Sequence, residues 1–234
     1  RRRMTTAIIT TASDERASRE AAAFVAKLAS DAIERKGNFV WAVSGGATPA
    51  QFLAELAEHE RIDWGAVHLF QVDERVAASG SPDRNDTMIR ERLVSRRPNV
   101  HYHPMPVDDD DLPFALIDHL AEVEHFAGTP AALDLVQLGL GDDGHTASLV
   151  EGDPALRSND DLTITLPYRG ARRVTMTAPL LNRASHRLFL VTGAEKDDAL
   201  SRLAARDPQI PGMLITLRET TLITDRRIAG FSAD

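Results

Sequence analysis

The chain has 234 residues, 43% of them apolar and 26% charged, and none of them cysteine. That length fits one large domain or two small ones, and it supplies enough apolar residues for a substantial core. The absence of cysteine excludes disulfide scaffolds, thiolate metal sites and cysteine nucleophiles. With 27 basic against 35 acidic residues the net charge is −8 and the pI about 5.5. An acidic chain argues against binding nucleic acid or an anionic membrane, both of which select a basic face. A small phosphorylated ligand stays open, because at physiological salt a few local cations and amide dipoles decide its binding. No run approaches the roughly 18 apolar residues of a membrane span, and no N-terminal run resembles a signal peptide. The expectation is therefore a cytoplasmic protein, with Arg1, Arg2 and Arg3 ahead of Met4 as a solvated tail.

In chain order, residues 7–12 read as a first strand. Ser13 then stands at an N-cap position with Asp14 and Glu15 in the favoured first turn, and Gly37 is a natural helix stop. Between them Ala21, Phe24, Val25, Leu28, Ala32 and Ile33 recur at helical spacing. Residues 39–44 form a compact apolar run, the pattern of a strand buried on both faces. A helix begins near Thr48 and Pro49, residues 67–72 are a strand and 87–94 a helix. Residues 113–126 are helical, with Leu116, Leu120 and Val123 on one stripe. Strands follow at 133–140, 173–177 and 187–192, a helix at 195–205 and a last strand at 220–224. Alternating strands and helices predict an α/β fold with a largely parallel sheet, in one domain over residues 1–234. The acidic run from Asp108 to Asp111 reads as a solvated loop, and Trp41 and Trp64 as packing residues.

Ligands of open α/β sheets bind at the carboxyl ends of the strands, and four such ends carry unusual residues. The first is Ser44-Gly45-Gly46-Ala47-Thr48-Pro49. Its glycines allow close backbone approach, with Thr48 as N-cap and Pro49 at the first helical position, and free amides at a helix start make an anion cradle. An ordinary glycine turn before a capped helix has the same pattern. The second is Asp73-Glu74-Arg75, three charges that cannot all face a core. Either an ion pair closes the sheet, or Arg75 faces a ligand while Asp73 positions it, with residues 82–85 as a lid.

The third is the segment Gly139 to Leu149, GLGDDGHTASL. It contains a G-x-G-x-x-G spacing, but Asp142 and Asp143 occupy the turn where a dinucleotide pyrophosphate would lie, and they would repel it. His145, expected at a helix N-terminus beside Asp143, is a candidate general base. The fourth is Gly193-Ala194-Glu195-Lys196, where a lysine at a helix start by itself reads as a solvated surface residue, though a ligand anion would suit it. No G-x-S-x-G elbow exists around Ser44, since position 42 is Ala. His101 and His103 lack a third metal ligand at suitable spacing.

Five segments in order, SGGATP at 44–49, DER at 73–75, GLGDDGHTASL at 139–149, RVTMTAPLLN at 173–182 and GAEK at 193–196, make the chain resemble the 6-phosphogluconolactonases. That group is a branch of the superfamily containing glucosamine-6-phosphate isomerase/deaminase. The deaminases usually have an aromatic residue where this chain has Arg75, and Phe-Asn-Glu-Pro where it has Ser148-Leu149-Val150-Glu151. The chain departs from the lactonase pattern as well. It has Ala77 and Ala78 where a proline is common, Arg84-Asn85 for Ser-Asn, and Val150-Glu151-Gly152 for Phe-Pro-Gly.

The resemblance implies a Rossmann-like α/β fold and hydrolysis of 6-phospho-D-glucono-1,5-lactone with no required metal or cofactor. On that reading His145 deprotonates water, Asp143 orients the imidazole, and Arg75 or an amide near Gly144 stabilises the oxyanion, with Asp73 beside them. Ser44, Gly45, Gly46, Thr48 and Lys196 would hold the 6-phosphate, with Arg173 as a further candidate. The partner implied is the phosphorylated sugar lactone, and the protein a monomer or small homo-oligomer. The rival readings are an amino-sugar-phosphate isomerase or deaminase, in which Asp73 shuttles the proton, and a non-catalytic sugar-phosphate sensor.

Overall fold

A computed structural model describes residues 6–228; the expected arginine tail lies outside the described residues. The elements are, in chain order, β1 (Thr6–Thr10), α1 (Asp14–Lys36), β2 (Phe39–Val43), α2 (Ala47–Leu56), β3 (Val67–Gln71) and β4 (Asp73–Arg75). There follow α3 (Asn85–Ile89), β5 (His101–His103), α4 (Leu112–Ala127), β6 (Leu135–Leu138), β7 (Leu162–Ile164) and β8 (Arg173–Met176). The described part of the chain continues through α5 (Ala178–Arg183), β9 (His186–Val191), α6 (Asp197–Ala204) and β10 (Thr220–Thr224). Among the described residues no helix is long and apolar enough to cross a membrane.

Local chemistry accounts for the boundaries. The Ser13 side chain accepts from the Arg16 amide at 3.3 Å, and Gly37, at φ 87°, closes α1 by donating to the Ile33 carbonyl. All five residues of β2 are buried. Its two faces feed separate cores: Val40 and Ala42 pack with Phe70, Val136 and Phe189, while Phe39, Trp41 and Val43 pack under α1 and α2 with Leu69 and Leu190. A parallel strand covered on both sides needs this unbroken apolar run.

Seven strands form a parallel sheet in the order β1-β10-β9-β6-β2-β3-β5. From β2 the chain proceeds outward through β3 and β5, then returns to the other side through β6, β9 and β10. The order therefore reverses between β2 and β6, and the loops after these two strands face one crevice. The four segments singled out in the sequence follow β9, β6, β2 and β3, which are consecutive neighbours in the sheet.

A second, antiparallel sheet runs β4-β8-β7. Asp73-Glu74-Arg75, expected as the loop after a strand, is itself the strand β4. Val72 donates to the Val43 carbonyl while the Val72 carbonyl accepts from Met176, so the backbone passes directly from one sheet into the other. The acidic run is only partly a solvated loop. Asp111 caps α4 by accepting from Phe114, and Asp108 accepts twice from the buried Arg84, at 2.7 and 2.8 Å.

Candidate active site

One cleft at the carboxyl edge is lined by Ser44, Gly45, Asp73, Arg75, His145, Arg173 and Lys196, together with Asn85 and Arg169. An adjoining hollow shares Gly45 and Lys196 with it and adds Gly46 and Thr48. Asp143 is one hydrogen bond behind His145. All ten sequence-predicted site residues thus meet at one rim.

Strand alternation sorts the DER triplet. Residues 73 and 75 share a face of β4 and turn to the cleft, while Glu74 points the other way and is fully buried. A buried carboxylate must be satisfied. Glu74 accepts from Gln71 Nε2 and from the amides of Arg75, Asn85 and Asp86, all within 2.9 Å. It therefore anchors the start of α3. The expected lid at residues 82–85 is instead a wall: Arg84 and Asn85 are buried, and Asn85 accepts from Arg75 Nη1 at 2.7 Å and donates to the Asp73 carbonyl at 2.8 Å. This wall is why position 45 is glycine, since a Cβ there would lie 1.7 Å from Asn85 Oδ1. Asp73 Oδ2 accepts from the buried Ser148 hydroxyl at 2.5 Å and stands 3.9 Å from Arg173 Nη1.

The 139–149 segment is an irregular loop, so His145 stands at no helix N-terminus. Its backbone amide, 3.0 Å from Asp143 Oδ1, and its Nδ1, 2.5 Å from the same oxygen, instead bind it to Asp143. Burial raises the Asp143 pKa, but the His145 amide and imidazole, with the Tyr168 hydroxyl, outweigh it and hold the carboxyl at about 2. Asp143 is thus ionised at neutral pH and fixes a proton on Nδ1, leaving Nε2 as the basic nitrogen. The Gly144 amide donates to the Gly141 carbonyl at 3.0 Å, which removes it as an oxyanion donor.

Thr48 is not the cap of α2. Gly46 takes that position at φ 113°, a conformation that favours glycine, and the Thr48 hydroxyl pairs with Thr192 at 2.9 Å. Pro49 accordingly falls at the third helical residue rather than the first. The amides of Gly45, Gly46, Ala47 and Thr48 find no acceptor among the described residues, so the shifted boundary leaves them free to meet an anion. The Ser44 hydroxyl donates to the Gln137 carbonyl at 3.1 Å and locks the loop to β6. Lys196 occupies the N-cap of α6. Arg173 is buried, its guanidinium makes no hydrogen bond to the described residues, and its Nε is orphaned. Burial pulls its pKa down against the opposing pull of Asp73. Four cations (Arg75, Arg169, Arg173 and Lys196) face two carboxylates (Asp73 and Asp142) across the cleft of an acidic protein. The arrangement suits an anion held beside a base.

Sequence reasoning missed Tyr168, whose hydroxyl reaches Asp143, and the structural part of Ser148. The one local signal was Gly170, a turn residue between two strand-like stretches.

The family model described as glucosamine-6-phosphate isomerases/6-phosphogluconolactonase matches residues 12–224. A protein of Synechocystis sp. named 6-phosphogluconolactonase is 39% identical over 186 residues, which cover 76% of this chain and 77% of that one. The crystal structure of a 6-phosphogluconolactonase from Thermotoga maritima superposes with a TM-score of 0.82 at 25% identity, covering 93% of this chain and 98% of that one. One from Shewanella baltica gives 0.81 at 22% identity, over 94% and 96% of the two chains. The chain belongs to the 6-phosphogluconolactonase branch of the glucosamine-6-phosphate isomerase/6-phosphogluconolactonase family.

Proposed function

We propose that the chain hydrolyses 6-phospho-D-glucono-1,5-lactone to 6-phosphogluconate by general-base activation of water. The names of its relatives support the activity. The observation that carries the mechanism is the Asp143–His145 pair on the rim of a cleft whose lining carries four cations against two carboxylates.

A δ-lactone is an activated ester, so a positioned water suffices and no covalent intermediate is needed. The water oxygen bonds to C1 while His145 Nε2 takes its proton. The carbonyl electrons move onto oxygen, facing Arg75, whose Nη1 is already fixed by Asn85 and the Asp83 carbonyl. Collapse re-forms the carbonyl and breaks the C1–ring-oxygen bond, and the imidazolium returns the proton to that leaving oxygen. General-base help is worth about 10²–10⁴ in rate, and one oxyanion donor about 2.7–4 kcal/mol. The amides of residues 45–48, Lys196 and Arg173 hold the phosphoryl group, and Asp73 aligns Arg173.

The test is acid release from freshly generated phospholactone, corrected for spontaneous hydrolysis. Acceleration that saturates with substrate is expected. A rate equal to buffer alone, with ammonia released from glucosamine-6-phosphate instead, would replace this reading with the deaminase one.

A further inference from the structure

The chain between β7 and β8 turns back on itself at Tyr168–Ala171. Tyr168 donates its amide to the Ala171 carbonyl at 2.9 Å, and Ala171 returns a bond at 3.3 Å. The two central residues, Arg169 and Gly170, have φ of 50° and 85°. This is the geometry of a two-residue hairpin turn whose twist matches its flanking strands. Asn, Asp or Gly usually fills the first central position; here it is arginine, held in a conformation that costs a side chain of its size.

The hairpin brings Tyr168 against the catalytic pair. Its hydroxyl donates to Asp143 Oδ2 at 2.9 Å, opposite the oxygen that holds His145, and its ring meets the imidazole edge-on at 5.6 Å. The same ring carries the guanidiniums of Arg169 and Arg173, at 5.2 and 5.3 Å from its centre. Arg173 has no hydrogen bond to orient its buried head among the described residues, so this aromatic face and Asp73 are what orient it.

We propose that Tyr168 is a positioning residue: its hydroxyl fixes the Asp143 carboxylate and thereby the imidazole of His145, and its ring holds Arg173 toward the bound anion. Without the hydroxyl, Oδ2 of Asp143 loses its protein donor and the carboxylate can rotate about its bond to Cβ. Without the ring, Arg173 loses its support as well. The proposal rests on the lactonase reading for its kinetic test, and a second readout is independent of it.

Tyr168→Phe removes the hydroxyl and keeps the ring; Tyr168→Ala removes both. For the phospholactone, Tyr168→Phe is expected to lower kcat about tenfold, the scale of one hydrogen bond to a charged group, with KM within about twofold. Tyr168→Ala is expected to raise KM as well, by about threefold, the scale of a partly exposed cation–π contact. In an Asp143→Ala background, Tyr168→Phe should cost nothing further, because the hydroxyl acts through Asp143. A residue that merely packs the hairpin would be restored fully by phenylalanine, and that result would overturn the proposal. So would a tenfold loss that persists in the Asp143→Ala background. If the wild-type protein does not hydrolyse the lactone, the functional reading fails alone. The Asp143 carboxyl titration, followed by carbon NMR, then decides on Tyr168: its midpoint near 2 should move up in Tyr168→Phe, and an unchanged midpoint would sink the claim.

Discussion

Arg75 on β4 and Arg173 on β8 are direct cross-strand partners in an antiparallel ladder. Such partners hold their Cβ atoms about 4.5–5.5 Å apart, and like charges there repel. Asp73 and Tyr168 support Arg173, and Asn85 holds Arg75, but Arg75 makes no salt bridge among the described residues and Arg173 only a long one, 3.9 Å to Asp73. A bound dianion would relieve the repulsion. A ligand at a hundred times its Kd stabilises the folded state by about 2.7 kcal/mol. Arg173→Met should at least halve the rise in Tm that 6-phosphogluconate gives the wild-type protein. An undiminished rise would remove Arg173 from the anion site.

Gly141 lies beneath the Asp143–His145 pair. A Cβ at this position would sit 2.1 Å from His145 Nδ1 and 2.5 Å from Asp143 Oδ1. Gly141→Ala should therefore push the imidazole off its partner and lower kcat at least tenfold, with the far-ultraviolet circular dichroism unchanged, because a misplaced catalytic group of about 1 Å can cost 10²-fold. Wild-type kcat in this variant would show that the pair tolerates displacement.

Much of this was legible in the sequence, and the physical reason is consistent. The Ser13 cap, the Gly37 stop and the apolar run of β2 are local signals, and the structure reproduces them within a residue or two. The four strand-end segments were readable because glycine and charge at the end of an apolar run have few structural uses. What stayed hidden depends on distant partners. β4 is three charged residues, and only its pairing with β8, about a hundred residues later, makes it a strand. The burial of Glu74 depends on donors from two other segments. Tyr168 reaches Asp143 across 25 residues with no pattern between them. The helix expected at His145 failed because the loop closes on itself, the Gly141 amide donating to the His145 carbonyl and the Gly144 amide to the Gly141 carbonyl.

A column of aromatic rings joins β3, the edge strand β5 and α4. His68 stacks on Phe126 at 3.8 Å and on His101 at 4.8 Å, and pairs with His103 at 3.1 Å. Burial, then the neighbouring charges of His103, His101 and His125, lowers the His68 pKa to about 4. The folded protein thus refuses a proton that the unfolded chain accepts below about 6.5. Stability should fall as pH drops from 6.5 towards 4 and lose this dependence below that. His68→Phe keeps the stack and removes the titration. The difference in urea midpoint between pH 7 and pH 4.5 should shrink in this variant; an equal or larger difference would contradict the assignment.

In the proposed division of labour His145 performs the chemistry while Lys196, Arg173 and the amides of residues 45–48 hold the substrate. His145→Asn tests it most directly, with turnover of the phospholactone and affinity for 6-phosphogluconate measured on the same preparation. In this variant kcat should fall by about 10²–10⁴ while affinity stays within about threefold, and Lys196→Ala should do the reverse, raising KM with kcat nearly intact. Turnover within a few-fold of wild type in His145→Asn, accompanied by lost product binding, would contradict it.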